Sequence, residues 1–502
     1  MHKQELERLI AIEKRIKEIA EEEGHQTTEI DFEIVPAQRM LEGMAYHWPN
    51  NFSHWSFGRD YEKYRTIYEN TGQGIPYEQV WNFERLRALI VETNPFPLKV
   101  LVIGHVYGHA SHLLSNRFHQ HGRSFSDIAE EARHAAARFR EYEDNHGKEM
   151  VEKTIDAGLS IQWQQHPDPF LEEELDNETA RDRLISFERA KLEHNLSVET
   201  EFKELETKEE REELRKKLQT LRRQTPPEPI YDLLGYIIRY SPSLRDWQKD
   251  ILAVIRNQAR ALAPNMRTKM LSEGWATYWH VRIMRRLFQE GLLTAEEHGV
   301  FNDFHSGVTR ENKADFNWYR IGQAIFENIE ERWNKGRFGR DYEECENPIQ
   351  KAYWDTGTNQ GKQKIFQVMS CYSDRMIVEE FFTDEFIKEM QLYIYEEEEN
   401  EKTGEIKYLI RERDPAVIRQ ILKHSFALHG VMPIRIKNAD FNDSQQLYLE
   451  HQFFGQEIRP DHRNGTLENI FFLWGRQVLL ETVVNEKTVV CRFNGKEHKV
   501  QK

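Results

Sequence analysis

The sequence predicts an α+β fold in which a mainly α-helical body is followed by a C-terminal α+β tail. Before about residue 375, most segments repeat apolar residues at three- and four-residue steps, the period of a helix with one buried face. Beyond it, short alternating runs separated by turn residues read as strands. Size and composition agree: 502 residues, 39% hydrophobic, with 11 Trp, 28 Phe and 19 Tyr, can build a sizeable core. At roughly 150 residues per domain this means about three structural units.

Taken in order, residues 3–22 place Leu9, Ile12, Ile16 and Ile19 on one face of an amphipathic helix. From 35 to 83 the chain is aromatic and broken by Gly, Pro and Asn, which predicts a structured loop region. Its aromatic stretch from Tyr46 to Tyr64 either lines a groove for sugar or peptide or builds core. Helical spacing returns over 98–116 and 126–142. The run 199–224 is almost all charge, yet Leu214, Leu218 and Leu221 keep a thin apolar stripe, so a solvated helical insertion is expected. It ends at TPPEP, 225–229, where consecutive prolines stop a helix. Two more helices follow, one carrying Leu244, Trp247, Ile251, Val254 and Ile255, the other over 266–289. The tail contains a predicted hairpin in QLYIYEEEENEKTGEIKYLI, then strands joined by NEK and by an Asn494-Gly495 turn. The expected organisation is therefore an N-terminal helix (1–34), a helical body (35–198), the charged insertion and proline linker (199–228), a second helical stretch (229–375) and the α+β tail (376–502).

Charge and cysteine content narrow the function classes. The formal net charge of -16 offers no overall field to attract phosphate backbones or anionic lipid, so no nucleic-acid partner is expected. The amino terminus lacks the apolar core of a signal peptide and no stretch approaches the length of a membrane span, which predicts a cytoplasmic protein without membrane insertion. Cys345, Cys371 and Cys491 are odd in number and widely spaced, fitting neither a disulfide framework nor a thiolate zinc site. No phosphate-binding glycine loop, GxSxG elbow or kinase set is present.

What chemistry the chain can carry lies in its histidines. GHVYGHASH puts His105, His109 and His112 at i, i+4 and i+7, on one face of a helix. The first two have the spacing of the HExxH zinc motif, but Val106 stands where that motif has its general base. The competing reading is a pair of core or surface histidines. On the helix around KMLSEGWATYWHVRIM, Met266, Met270, Glu273, Thr277, His280, Met284 and Leu287 share one stripe, so Glu273 is expected to be buried. A desolvated carboxylate must be paired, protonated or bound to a cation; a salt bridge, with Arg282 for instance, competes with metal ligation. Two nitrogens from His105 and His109 plus an oxygen from Glu273 would make a three-ligand site of the catalytic zinc kind, with His280 as fourth ligand, proton carrier or packing residue. Glu131-x-x-His134 matches half of a di-iron pattern whose second half is missing, and His166 is expected to close the turn in QHPDPF.

The blocks MLEGMAYHWPNNFSHWSFGRDYE, GHVYGH, YEDNHGKEMVEKTIDAGLSI, DLLGYIIRYSPSLRDWQKDIL, SEGWATYWHVRIMRRL and LYLEHQFFGQEIRP, in this order, resemble the stage V sporulation protein R (SpoVR) family over most of the chain. The segment ASHLLSN departs from the family's pattern, with His112 and Ser115 in place of aromatic and asparagine positions, while His105, His109, Glu273 and His280 match it. The resemblance implies a cytoplasmic bacterial protein linked to spore cortex formation, and protein partners from a serine-kinase operon. The EGWA block beside an HxxxH helix is also similar to gluzincin peptidases, in which such a Glu completes the metal site. The reading is thus a gluzincin-like body holding zinc on His105, His109 and Glu273. As an enzyme it would be a metallohydrolase or amidase acting on a peptidoglycan precursor or peptide, with Glu131, His134, Tyr278 and His280 as candidate proton acceptors. The rival is a non-enzymatic regulator or scaffold with a structural metal site or polar core.

Overall fold

The helix Phe96–Ser115 buries 16 of its 20 residues, because it is apolar nearly all round and carries Pro97 in its first turn, where no backbone N–H is needed. The computed structural model describes residues 3–45, 52, 54–71, 76–82, 85–124, 128–171, 176–198, 208–399, 406–427 and 430–501. The chain forms two units, Met1–Ala136 with Arg260–Gly430, and Ala137–Ala259 with Val431–Lys502. Each unit thus joins two separate stretches, whereas the sequence reading divided the chain into consecutive segments.

In the first unit the buried helix packs against the amphipathic helix Lys3–Glu22 through Leu9, Ile12, Ile16 and Ile19. It also packs against a three-stranded sheet, β1 (Ile30–Val35), β2 (Glu78–Trp81) and β3 (Leu86–Val91). The order is β1-β3-β2, with β1 parallel and β2 antiparallel to β3, and Glu78 opposite Ile90. The region expected to be irregular holds this strand and two helices, Ala37–Ala45 and Trp55–Thr71. Phe57, Tyr61, Tyr64 and Tyr68 keep helical spacing in the second of these, and the breakers lie mostly on its flanks. Much of the Tyr46–Tyr64 aromatic stretch before Phe52 lies outside the described residues.

The helix Lys269–Gln289 is the second buried element. Thr268, at its start, does not cap it; Asp374, fully buried, accepts the backbone N–H groups of Met270 (2.8 Å) and Leu271 (2.9 Å) instead. Two close approaches fix its position. A Cβ on Gly108 would lie 2.6 Å from Ala276 Cα, and one on Gly274 would lie 2.3 Å from the carbonyl carbon of Gly322 in the helix Trp318–Asn334. The strands β4 (Ile394–Glu399) and β5 (Ile406–Glu412) pair as the predicted hairpin. The hairpin and the following helix Pro415–Ala427 belong to this unit rather than to a separate tail, because Ile418, Leu422 and Phe426 bury in the cluster that holds Phe381 and Phe386.

The second unit contains the helices Lys148–Ile161, Asn177–Val198, Lys208–Arg223, Leu233–Tyr240 and Pro460–Trp474. Its sheet comprises β6 (Ile434–Phe441), β7 (Gln446–His451), β8 (Val478–Val484), β9 (Lys487–Phe493) and β10 (His498–Gln501), in the order β10-β9-β8-β7-β6. Asn485 and Glu486, both at positive φ, make the expected tight turn between β8 and β9. Of the charged insertion, 208–223 is the helix the leucine stripe predicts, and 199–207 lie outside the described residues. Among the described residues no helix is long and apolar enough to cross a membrane.

Candidate metal centre

The close contact of Gly108 with Ala276 brings the two buried helices together one turn from the groups that carry chemistry. His105 and His109 face Glu273 across this contact, their rings edge to face at 4.5 Å between centroids. Nε2 of His105 and Nε2 of His109 each lie 3.4 Å from Glu273 Oε2. His105 is 3% exposed and Glu273 6%. The second carboxylate oxygen, Oε1, accepts from Lys269 Nζ at 2.7 Å, one turn earlier on the same helix. The salt-bridge reading of Glu273 is therefore met by Lys269; Arg282 pairs with Glu330 instead.

A carboxylate that the sequence reading lacked completes the cluster. Glu78, from the antiparallel edge strand β2, brings Oε1 to 3.8 Å from His105 Nε2, and one ligand atom each from Glu78, His105 and His109 lie within 4.8 Å of one another. The other ring nitrogens are already engaged. His109 Nδ1 meets Ser272 Oγ at 2.9 Å and His105 Nδ1 meets His280 Nδ1 at 3.0 Å, so both Nε2 atoms are turned toward the carboxylates. His280 Nε2 in turn contacts His305 Nδ1 at 3.1 Å, and the Tyr319 hydroxyl bonds to Glu273.

The electrostatics of the two carboxylates diverge. Burial presses the Glu273 pKa upward, yet hydrogen bonds from His105 and His109 and the nearby Lys269 charge hold it well below the usual carboxylate range. Burial raises that of Glu78, and the neighbouring Glu273 charge adds to the rise against the opposing pull of His105. Burial keeps His280 well below the ordinary imidazole range, helped by the histidines on either side. Burial presses the Lys269 pKa down, but the charge and hydrogen bond of Glu273, with the charges of Glu78 and Asp374, together raise it.

Of the four residues read as proton acceptors, the structure brings His280 to the cluster. Tyr278 lies about 140° around the helix from Glu273; its hydroxyl donates to Glu330 at 2.6 Å beneath the Arg282 guanidinium. His134 is exposed, and the Glu131 side chain lies outside the described residues, although its helix Ile128–His146 is present. His112 is fully buried one turn beyond His109, edge to face with His119 at 4.9 Å. His166 closes its turn as expected, with Nδ1 accepting the Asp168 N–H at 3.0 Å.

Comparison with known proteins adds the family. Residues 3–431 match the family described as "SpoVR like protein". The chain belongs to the SpoVR family. It is 24% identical to "Uncharacterized protein YcgB" of Escherichia coli (strain K12) over 467 residues, covering 89% of this chain and 86% of that one. No solved structure matches this SpoVR-family chain.

Proposed function

We propose that this SpoVR-family chain is a metal-dependent hydrolase or amidase with a gluzincin-like site, acting on a peptide or peptidoglycan precursor in cell-envelope or spore-cortex assembly. The observation that carries the reading is the convergence of both imidazole Nε2 atoms on one Glu273 oxygen, with their Nδ1 atoms held from behind. Two imidazoles and a carboxylate are the donor set of catalytic zinc. A zinc ion on His105, His109 and Glu273 would act as a Lewis acid and lower the pKa of a water toward 7. Glu78 then takes the proton-accepting place that Val106 leaves empty, since it reaches the same histidines from the opposite strand. Ser272 and His280 engage the two Nδ1 atoms from behind, and Lys269 and Tyr319 hold the outer side of Glu273. The substrate class rests on the resemblance to a family linked to spore cortex formation.

Metal analysis of the purified protein is the direct test. Near-stoichiometric zinc, lost in both His105→Ala and Glu273→Gln, is expected, together with release of amide products from muropeptides that the same substitutions abolish. The Lys269–Glu273 bond at 2.7 Å favours a second reading, a polar core in a cytoplasmic regulator or scaffold that recruits partners encoded with a serine kinase. Protein that is metal-free and takes up no zinc would decide for that reading.

A further inference from the structure

His112 and His119 form a second imidazole pair in the unit of Met1–Ala136 and Arg260–Gly430, beyond His105 and His109 on the chain. We propose that this pair binds a soft monovalent cation, copper(I), between one nitrogen of His112 and Nδ1 of His119. The site stands on its own and needs neither zinc nor turnover at the centre described above.

A turn of the chain brings the two rings together. Asn116 ends the helix Phe96–Ser115 and starts the next, Arg117–Arg123, its side-chain oxygen accepting the Phe118 N–H at 2.9 Å. Its amide nitrogen donates to the carbonyls of Met369 (2.7 Å) and Tyr372 (3.1 Å), which pins the turn from the other side. His119 thereby comes back against His112, with ring centroids 4.9 Å apart and planes at 82°. Two imidazoles on one ion have centroids about 5–6 Å apart, because each metal–nitrogen bond is about 2 Å long. A small side-chain rotation is therefore enough for the pair to share a cation.

Hydrogen bonding shows which nitrogens can bind it. Thr268 Oγ1 donates its one hydrogen to the Pro264 carbonyl at 2.7 Å. At its 3.2 Å contact with His119 Nε2 it can only accept, so Nε2 carries the proton and Nδ1 the lone pair. His112 is fully buried, and neither of its nitrogens has a hydrogen-bond partner among the described residues. Buried polar atoms are nearly always paired, so an imidazole left in this way calls for a ligand. Burial holds both rings below the ordinary imidazole range, His119 at about 3, which keeps their lone pairs free of protons at pH 7.

The charge of the ion follows from its surroundings. Neither ligand is anionic, and the Arg123 guanidinium opposes positive charge at His119. The Glu273 carboxylate favours positive charge at His112 but is already engaged by His105, His109 and Lys269. A monovalent ion is then less costly to bury than a divalent one. Imidazole is a good ligand for copper, and copper(I) accepts as few as two ligands.

Anaerobic titration of the full chain with copper(I) against the chelator bathocuproine tests this, after iodoacetamide has alkylated the accessible thiols, Cys345 and Cys371. One equivalent per chain is expected, with an X-ray absorption spectrum that shows nitrogen and no sulfur around the metal. His112→Phe, and His119→Gln, which can still donate to Thr268, should each weaken binding at least about tenfold, whereas His105→Ala should leave it unchanged. His112→Phe keeps a flat ring and removes both unpartnered nitrogens, so it should fold; copper(I) should raise the melting temperature of the parent and not of this variant. No uptake, uptake that survives both substitutions, sulfur bound to the metal, or loss of uptake in His105→Ala would each overturn the proposal. Zinc content is read separately, so failure here leaves the reading of the zinc centre standing.

Discussion

Gly108 and Ala276 meet so closely that any side chain on Gly108 would collide with the Ala276 backbone, a Cβ there lying 2.6 Å from Cα. This contact sets the distance between the helix bearing His105 and His109 and the helix bearing Glu273. Gly108→Ala should therefore push the helices apart, costing about 1–3 kcal/mol by overpacking. Because the donors move with their helices, zinc affinity should fall alongside stability. Chemical denaturation and a zinc titration on the same variant check both; a variant as stable as the parent would contradict the contact.

The block SEGWA divides its work residue by residue. Ser272 bonds to His109, Glu273 faces the histidines, Gly274 meets Gly322, Trp275 buries among aromatic rings and Ala276 meets Gly108. Gly274→Ala, whose new Cβ would fall 2.3 Å from the Gly322 carbonyl carbon, should lower the melting temperature at least as much as Gly108→Ala. Thermal unfolding of the two variants side by side tests that ranking.

Glu78 is predicted to separate metal holding from turnover. Glu78→Gln keeps the size of the side chain and removes the proton acceptor, so zinc binding by His105, His109 and Glu273 should persist while hydrolysis falls by about 10²-fold or more. Zinc stoichiometry and kcat measured on one preparation distinguish this from a ligand role, in which metal and activity would be lost together.

Much of this centre was legible in the sequence, for a physical reason. His105, His109 and Glu273 stand on long helices whose period orders their side chains, so spacing placed the two histidines on one face and Glu273 in a buried stripe. Lys269 was within reach of the same argument, at i-4 from Glu273 in KMLSE. Glu78 was not, because it sits on a four-residue strand whose register against β3, opposite Ile90, is a tertiary outcome. Tyr278 misled for the opposite reason: it shares the helix with Glu273 but points to Glu330. The two-unit organisation was hidden too, since residues 260–430 complete the fold of residues 1–136 across an intervening stretch that builds another core.

Asp374 supplies the missing cap of the Glu273 helix from a distant part of the chain. Removing it in Asp374→Ala leaves the Met270 and Leu271 N–H groups buried without their acceptor, which should cost about 2 kcal/mol. Asp374→Asn retains an acceptor oxygen and should recover part of that loss. Urea unfolding of both variants shows the order; equal losses would contradict the capping role of the retained oxygen.

His25 makes the fold sensitive to acid. Its ring packs against Trp275, Trp279 and Phe366 at 4.4–5.5 Å between centroids, and neither nitrogen has a hydrogen-bond partner among the described residues. Burial, aided by the Lys362 charge, pushes its pKa down to about 3 from the ordinary 6.5. Below pH 6.5 the unfolded chain therefore gains a proton that the folded chain refuses. Stability is full above that pH and falls as the pH drops toward 3. At 1.36 kcal/mol per unit the loss at pH 4.5 is about 2.7 kcal/mol. His25→Phe, which keeps an aromatic ring in the cluster, should remove this part of the acid loss while leaving the contribution of His119, also held to about 3 by burial, in place. Denaturation of parent and variant at pH 7 and pH 4.5 measures the difference, and parallel losses in the two proteins would show that His25 is not the group responsible.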